Sequence, residues 1–331
     1  MKTQNRPTIA LVATGGTIAS VPDAHLKGAV PTLTVEDLVA GVPGLGDHAD
    51  ITCIQQAQKP SVELDFPALT ALIATCLKAV DAGASGVVVT QGTDTIEETS
   101  YALDLVWNRP EPIVVTGAMR NPSLAGSDGP ANLLAAVQVV ANPSARDRGV
   151  LVVLNDEIHT ARDVIKTHTS STSAFRSWRT GPIGVVHEGQ PRFHTPAFRR
   201  PVIEATPGPI PRIALVKAVL GDGMSYVEAL PDWGYEGVVI EAFGGGHIRS
   251  EGMSVMRALV QRVPVVLASR TGAGTVLSNT YAFPGSETEL LQAGLISAGS
   301  LHSLKARVLL TMLIASGADQ ATIRGEFLAR T

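Results

Sequence analysis

Thr17, the adjacent pair Thr93 and Asp94, and Lys166 are the side chains in this sequence whose types could together attack a carbonyl. Each follows an apolar run. Thr8–Ala13 leads into Thr14-Gly-Gly-Thr17, and Val87-Val-Val leads into Thr90-Gln-Gly-Thr93-Asp94. Gly149–Leu154 leads into the Thr- and Ser-rich stretch Asn155–Ala174, with Lys166 in its middle. A threonine hydroxyl is a poor nucleophile until a neighbour takes its proton. A lysine can do that only if its pKa falls from about 10.4 toward the working pH, by roughly 2–3 units. Such a fall asks for roughly 3–4 kcal/mol of desolvation or like-charge pressure, and an aspartate in contact pulls the other way. A Thr–Lys pair held by an Asp, with amides of glycine loops as oxyanion donors, suits acyl transfer. Singly, each residue has a plainer reading: Thr and Asp cap helices after strands, and a lysine in a polar loop is solvated.

The elements around these residues argue for convergence. Strand candidates at Thr8–Ala13, Asp50–Gln58, Val87–Thr90, Pro112–Thr116 and Gly149–Leu154 alternate with helical patterns. Asp65–Val80 carries Phe66, Leu69, Leu72, Ile73, Leu77 and Val80 at helical spacing. Thr34 with Asp37, and Thr95 with Glu98, have the spacing of capping boxes, and Asp128-Gly-Pro reads as a capped helix start running to about Ala141. Alternation of this kind gives a doubly wound, mostly parallel α/β sheet, with right-handed crossovers that put the post-strand loops along one edge. Ligands bind at that edge in open α/β sheets. Val21–Pro31 has no period and reads as a mobile loop able to close over a site. Residues 1–187 form a large N-terminal domain on this reading. Residues 188–211, Pro- and Arg-rich, form a linker, and 212–331 form a smaller α/β domain with strands at Arg212–Lys217, Gly237–Phe243 and Pro264–Ser269.

Composition excludes several classes. Hydrophobic residues are 45% and charged residues 17% of the 331, which describes a globular chain. A net charge of -4 with no block of like charge gives no reason to expect nucleic acid. Cys53 and Cys76, far apart and outside any ligand spacing, read as two reduced thiols, and the eight His show no metal-binding pattern. No metal and no cofactor is expected. Thr14-Gly-Gly-Thr is not a dinucleotide fingerprint, and Gly244-Gly-Gly without a following Lys-Ser/Thr reads as a turn. The apolar run Ile9–Ala13 is too short for the core of a signal peptide, and no stretch approaches a membrane span. A cytoplasmic protein is the expectation.

The blocks that carry these residues resemble the bacterial-type L-asparaginases. Thr14-Gly-Gly-Thr-Ile-Ala resembles the family's first signature and Gln91-Gly-Thr-Asp-Thr-Ile-Glu-Glu-Thr its second. Gly117-Ala-Met-Arg, Ser127-Asp-Gly-Pro, Gly149-Val-Leu-Val-Val-Leu-Asn-Asp, Arg162-Asp-Val-Ile-Lys-Thr and Lys305-Ala-Arg-Val-Leu-Leu match in family order. The resemblance implies a homotetrameric, metal-free amidohydrolase of linear amides, with a large and a small α/β domain. It implies Thr17 as the nucleophile that forms an acyl-enzyme ester, with Thr93, Asp94 and Lys166 as the second catalytic group. Ser61 would bind the substrate carboxylate and Asp94 its amino group, beside Gly92, while Glu287 would reach a neighbouring subunit's site.

Three positions depart from the family pattern. No Tyr lies between Thr17 and Tyr101, where the family's lid carries one; Val62 stands where Gln is common; and His247 stands where Asn is common. The first bears on how the nucleophile is activated, the other two on how the substrate's amino end is held. L-Asparagine hydrolysis is the expected activity. A glutaminase-asparaginase and an amino-acid-binding sensor that kept the fold are the alternatives.

Overall fold

In the computed structural model the chain forms two compact units, Met1–Val202 and Ile203–Thr331, and residues 6–199, 201–204 and 208–330 are described. The first unit holds an eight-stranded sheet. Its parallel part is β1 (Thr8–Gly15), flanked by β4 (Asp50–Lys59) on one side and β5 (Val87–Thr90) on the other, with β6 (Ile113–Thr116) and β7 (Val150–Leu154) beyond β5. Three antiparallel strands complete it: β8 (Glu157–Thr160), β11 (Gly184–His187) and β12 (Gln190–Phe193). Two short hairpins stand apart from the sheet, β2 (Ser20–Asp23) with β3 (Gly28–Pro31), and β9 (Ile165–Lys166) with β10 (Phe175–Arg176).

The parallel strands read as near-continuous apolar runs because both faces are covered. Odd positions of β1 (Ile9, Leu11, Ala13) enter a core with α1 (Val35–Ala40) and α5 (Gly129–Ala141); even positions (Ala10, Val12) enter another with α3 (Phe66–Asp81) and α4 (Ile96–Val106). The chain leaves β1 toward β4 but leaves β5 toward β6, so the winding reverses between β1 and β5. Ligands of doubly wound folds bind at such a switch point, outside the carboxyl ends of the strands. The loops bearing Thr17 and Thr93 open there.

Several local expectations need correcting. Val21–Pro31 is not an irregular loop but the β2–β3 hairpin, its base held by bonds from Thr32 N and Leu33 N to Ala19 O, both at 2.9 Å. The box at Thr34 and Asp37 forms, but the one at Thr95 and Glu98 does not. Thr95 Oγ1 instead donates to Ser61 O at 3.2 Å and receives Gln91 Nε2 at 3.0 Å. Asp128 does not cap α5 either; it accepts the amides of Met119 and Arg120, fixing the loop after β6. The expected linker at 188–211 starts too early, since β12 pairs along its length with β11 and belongs to the large sheet. Its Pro191 sits in an edge strand, where a missing amide is tolerated. Residues 200 and 205–207 of that linker, and 1–5 and 331 at the ends, lie outside the described residues.

The second unit carries a four-stranded parallel sheet in the order β13 (Ile213–Lys217), β14 (Gly237–Ala242), β15 (Val265–Ser269), β16 (Ile296–Ser297). Around it pack α6 (Met253–Leu259), α7 (Glu287–Gln292), α8 (Ser303–Ala315) and α9 (Gln320–Ala329). The expected helix over Ser225–Trp233 is a 3-10 helix that contains Pro231. At the start of α8, Ser303 Oγ donates to Glu241 Oε1 at 2.5 Å, and Lys217 Nζ pairs with Glu241 Oε2 at 2.9 Å. Beside them, burial and then the charge of Lys305 push His302 down to about 4.

A histidine held neutral in the fold but free to charge when unfolded stabilises the native state above about pH 6.5, and that contribution is lost as pH falls toward 4. The shift corresponds to roughly 3 kcal/mol at most. Urea midpoints measured from pH 7 to pH 4 should fall through this window, and His302→Gln should flatten the fall. An equal slope in both proteins would remove His302 as its cause.

Candidate active site

Three loops are drawn together by backbone packing. Gly16 sits at φ +84° with its amide bonded to Lys59 O at 3.1 Å. A Cβ placed on it would lie 2.1 Å from Gly92 N, so the loop after β1 and the loop after β5 touch main chain to main chain. Only glycine allows that approach and that φ. Thr17 and Thr93 are the residues immediately after the two touching glycines. Ser61, in the turn after β4, is the third part: a Cβ on Gly92 would meet its Oγ at 2.8 Å. Thr14 Oγ1 closes the arrangement from behind by donating to Thr90 O at 3.0 Å.

Lys166 arrives from the far side of the sheet order, on the β9 strand. Its Nζ donates to Thr93 Oγ1 at 2.9 Å and to Asp94 Oδ1 at 2.6 Å. The lysine side chain is 14% exposed, whereas Asp94 is 62% exposed. The pair is thus half in water, with the hydroxyl of the buried Thr93 on its inner side. Charge-assisted contacts of this length fix geometry well. The nitrogen lies at the distance from which a neutral amine would accept the Thr93 proton.

Each sequence-derived candidate can now be placed. Thr17, Ser61, Gly92, Thr93, Asp94 and Lys166 all lie in the first unit, on the loops just described or on β9. Val62 is 65% exposed, with its side chain in solvent. His247 and Glu287 belong to the second unit. There Gly244–Gly246 makes the turn that lets Phe243 bridge to His247 at the end of β14, in agreement with the turn expected of it. Glu287 is fully buried; its Oε1 accepts Thr280 N at 2.8 Å and Tyr281 N at 2.9 Å, while His247 Nε2 stands 3.1 Å from Oε2. Burial by itself would raise its pKa, but these amides and the imidazole outweigh that and hold it below the usual carboxylate range. These contacts fix the carboxylate's place and orientation within the second unit. The more exposed group of the pair is the His247 ring, edge-on to both Tyr281 and Phe283 at 5.1 Å.

The sequence reading missed residues that build the site indirectly. Thr95 ties the Ser61 turn to the second loop, and Asp128 holds the backbone after β6. Thr95 was legible as a polar residue in the right loop, but its helix-capping spacing hid the longer-range bond. Among the described residues no cluster of His, Cys, Asp and Glu could hold a metal ion, and no helix is long and apolar enough to cross a membrane. Cys53 and Cys76 are both free thiols, and burial pushes Cys76 up to about 12.

Comparison with known proteins decides the family. Residues 8–199 match the family model described as asparaginase, N-terminal, and residues 212–327 match that of the glutaminase/asparaginase C-terminal domain. The chain belongs to the asparaginase family. It is 37% identical over 327 residues to a probable L-asparaginase of Deinococcus radiodurans, with 97% of each chain covered. It is 33% identical over 332 residues to L-asparaginase 2 of Escherichia coli, covering 97% of this chain and 92% of that one. The solved structure of a probable cytoplasmic L-asparaginase from Campylobacter jejuni superposes with a TM-score of 0.85 at 32% identity, over 98% of this chain and 99% of that one.

The Gly16–Gly92 contact gives a direct test of how the loops are held. Gly16→Ala adds a Cβ where main-chain atoms already stand, at a φ that L-residues avoid, and should destabilise the first unit by about 3 kcal/mol or more. A urea midpoint unchanged from the parent would show that the two loops do not depend on this approach.

Proposed function

We propose that this chain is an L-asparaginase, hydrolysing L-asparagine to L-aspartate and ammonia without a metal or cofactor. The observation that carries the reading is the Lys166 nitrogen in bonding reach of both Thr93 Oγ1 and Asp94 Oδ1, beside the glycine contact that brings the Thr17 loop in. The relatives named L-asparaginase support the substrate. Thr17 is the attacking residue in this account. Its oxygen bonds to the side-chain amide carbon, the hydroxyl proton passes to the leaving nitrogen, and ammonia departs to leave a β-aspartyl ester. A water molecule, giving a proton to the Thr93–Lys166 pair, then attacks the ester; the ester C–O bond breaks, that proton passes to the departing Thr17 oxygen, and both Thr17 and the pair are restored. Backbone amides of these two loops, other than that of Gly16 which donates to Lys59 O, serve as the oxyanion donors in this account. Ser61 and Asp94 hold the carboxylate and amino ends of the substrate, with Gly92 leaving room for it.

A second reading, glutaminase-asparaginase, is favoured by one observation: Val62 offers no polar group to the substrate's amino end and stands in solvent. A homotetramer acting in the cytoplasm completes the proposal. Exposed Leu220, Tyr226, Tyr281 and Phe283 on the second unit support contact between copies, and two free thiols suit a reducing compartment.

Ammonia release from L-Asn and L-Gln over a range of concentrations is the test. Wild-type protein should release ammonia from L-Asn faster than from L-Gln, and comparable rates would favour the second reading. Thr17→Ala and Lys166→Met should each lower kcat by roughly 10³-fold or more while circular dichroism stays unchanged. Near-parental turnover by Thr17→Ala would refute the assignment of the nucleophile.

A further inference from the structure

Lys166 is carried by an unusually slight support. The β9–β10 hairpin pairs two residues with two, Lys166 with Phe175 and Ile165 with Arg176, and it makes no ladder with the main sheet. Hairpins of that size are marginal alone. Val164, Ala174 and Phe175 bury themselves in the core beneath it. Apolar contact fixes depth but not direction, because it is non-directional. A long, rotamer-rich side chain such as lysine needs its backbone fixed to sub-ångström precision before its nitrogen can serve a hydroxyl reliably.

Direction comes from a polar network rooted on β8. His159 is 1% exposed and Ser177, just past β10, is 5% exposed. His159 Nδ1 lies 2.9 Å from Ser177 Oγ, and its Nε2 stands 3.2 Å from Glu157 Oε2. The same carboxylate oxygen accepts Arg176 Nη1 at 3.0 Å. Glu157 and His159, two apart on one strand, therefore face the same way and grip consecutive residues at the end of β10. The other strand of the hairpin is anchored by Asp163, which receives Thr160 Oγ1 at 2.9 Å, Arg162 Nη1 at 3.0 Å and Arg179 Nε at 2.8 Å. The direction of the His159–Ser177 hydrogen bond follows the ring's tautomer. An apolar side chain would fill the space without the desolvation that a buried imidazole requires, whereas the imidazole supplies a directional contact.

We propose that His159, hydrogen-bonded to Ser177 and standing beside Glu157, is a positioning residue that aims Lys166 at Thr93. The proposal rests on the functional reading above only for its kinetic consequence.

The test uses His159→Leu, His159→Asn and Ser177→Ala in the full chain, with kinetics on L-Asn and crystal structures. A displacement of about 1 Å at a catalytic group costs on the order of 10²-fold in rate. His159→Leu should lower kcat by about 10- to 100-fold with KM within about twofold, and its Lys166 nitrogen should lie beyond about 3.5 Å from Thr93 Oγ1. His159→Asn, whose side-chain amide can still hydrogen-bond the Ser177 hydroxyl, should recover most of kcat. A purely structural role would lower the melting temperature of His159→Leu and leave both kcat and the Lys166–Thr93 distance as in the parent, which overturns the proposal. If His159→Leu does not fold, Ser177→Ala decides by the same two readouts. Should the wild-type protein release no ammonia, the functional reading falls, while the Lys166–Thr93 distance in the variants still decides the positioning role.

Discussion

One amine within 3 Å of a threonine hydroxyl and of an aspartate carboxylate is the constraint around which the first unit is arranged. Thr93 and Asp94 come directly off a central strand, where position is set by a sheet covered on both faces. Lys166 comes off a short hairpin that follows β8 in the chain and stands apart from the sheet. Bringing the two within bonding reach needs the central parallel strands for rigidity, the reversal of winding between β1 and β5 for an open crevice, and a directional anchor for the hairpin. The Gly16–Gly92 approach then adds a second hydroxyl from β1. None of these contacts is strong alone. A part-exposed ion pair contributes little to stability, so the Lys166–Asp94 pair is better understood as geometry than as glue.

What was legible in the sequence follows from the range of the forces involved. The parallel strands and the larger helices announce themselves because burial on two faces or one stripe imposes a local period, and Asp65–Val80 is found as Phe66–Asp81. The site loops were legible because Gly, Thr and Asp after an apolar run have few other uses at a sheet edge. Family resemblance supplied the roles, and matched both units. The failures share a cause. Thr95 and Asp128 have the spacing of helix caps, yet their side chains bond groups distant in the chain, which no local pattern reports. Val21–Pro31 lacks hydrophobic alternation because its hairpin stands off the core, so the pairing leaves no period to read. His159 and Ser177 gave no signal at all, since a buried polar bridge between strands looks like any polar residue in a loop.

The second unit teaches a complementary point about charge. Glu287 is held in place by two main-chain amides and an imidazole inside its own unit. His302 and Glu241 form another buried polar group near the start of α8, where neutrality of the histidine and pairing of the carboxylate are both set by burial. In each case the chemical type was readable and the partner was not.

The central claim is that Thr93 and Lys166 act as one unit, and a double-mutant cycle tests it most directly. Single variants Thr93→Ala and Lys166→Met, and the double variant, are compared with the parent by kcat/KM for L-asparagine. A shared proton-transfer pair predicts that the double variant is no worse than the poorer single one, so the two losses do not multiply. Losses that multiply would show two residues working independently, and would contradict the account.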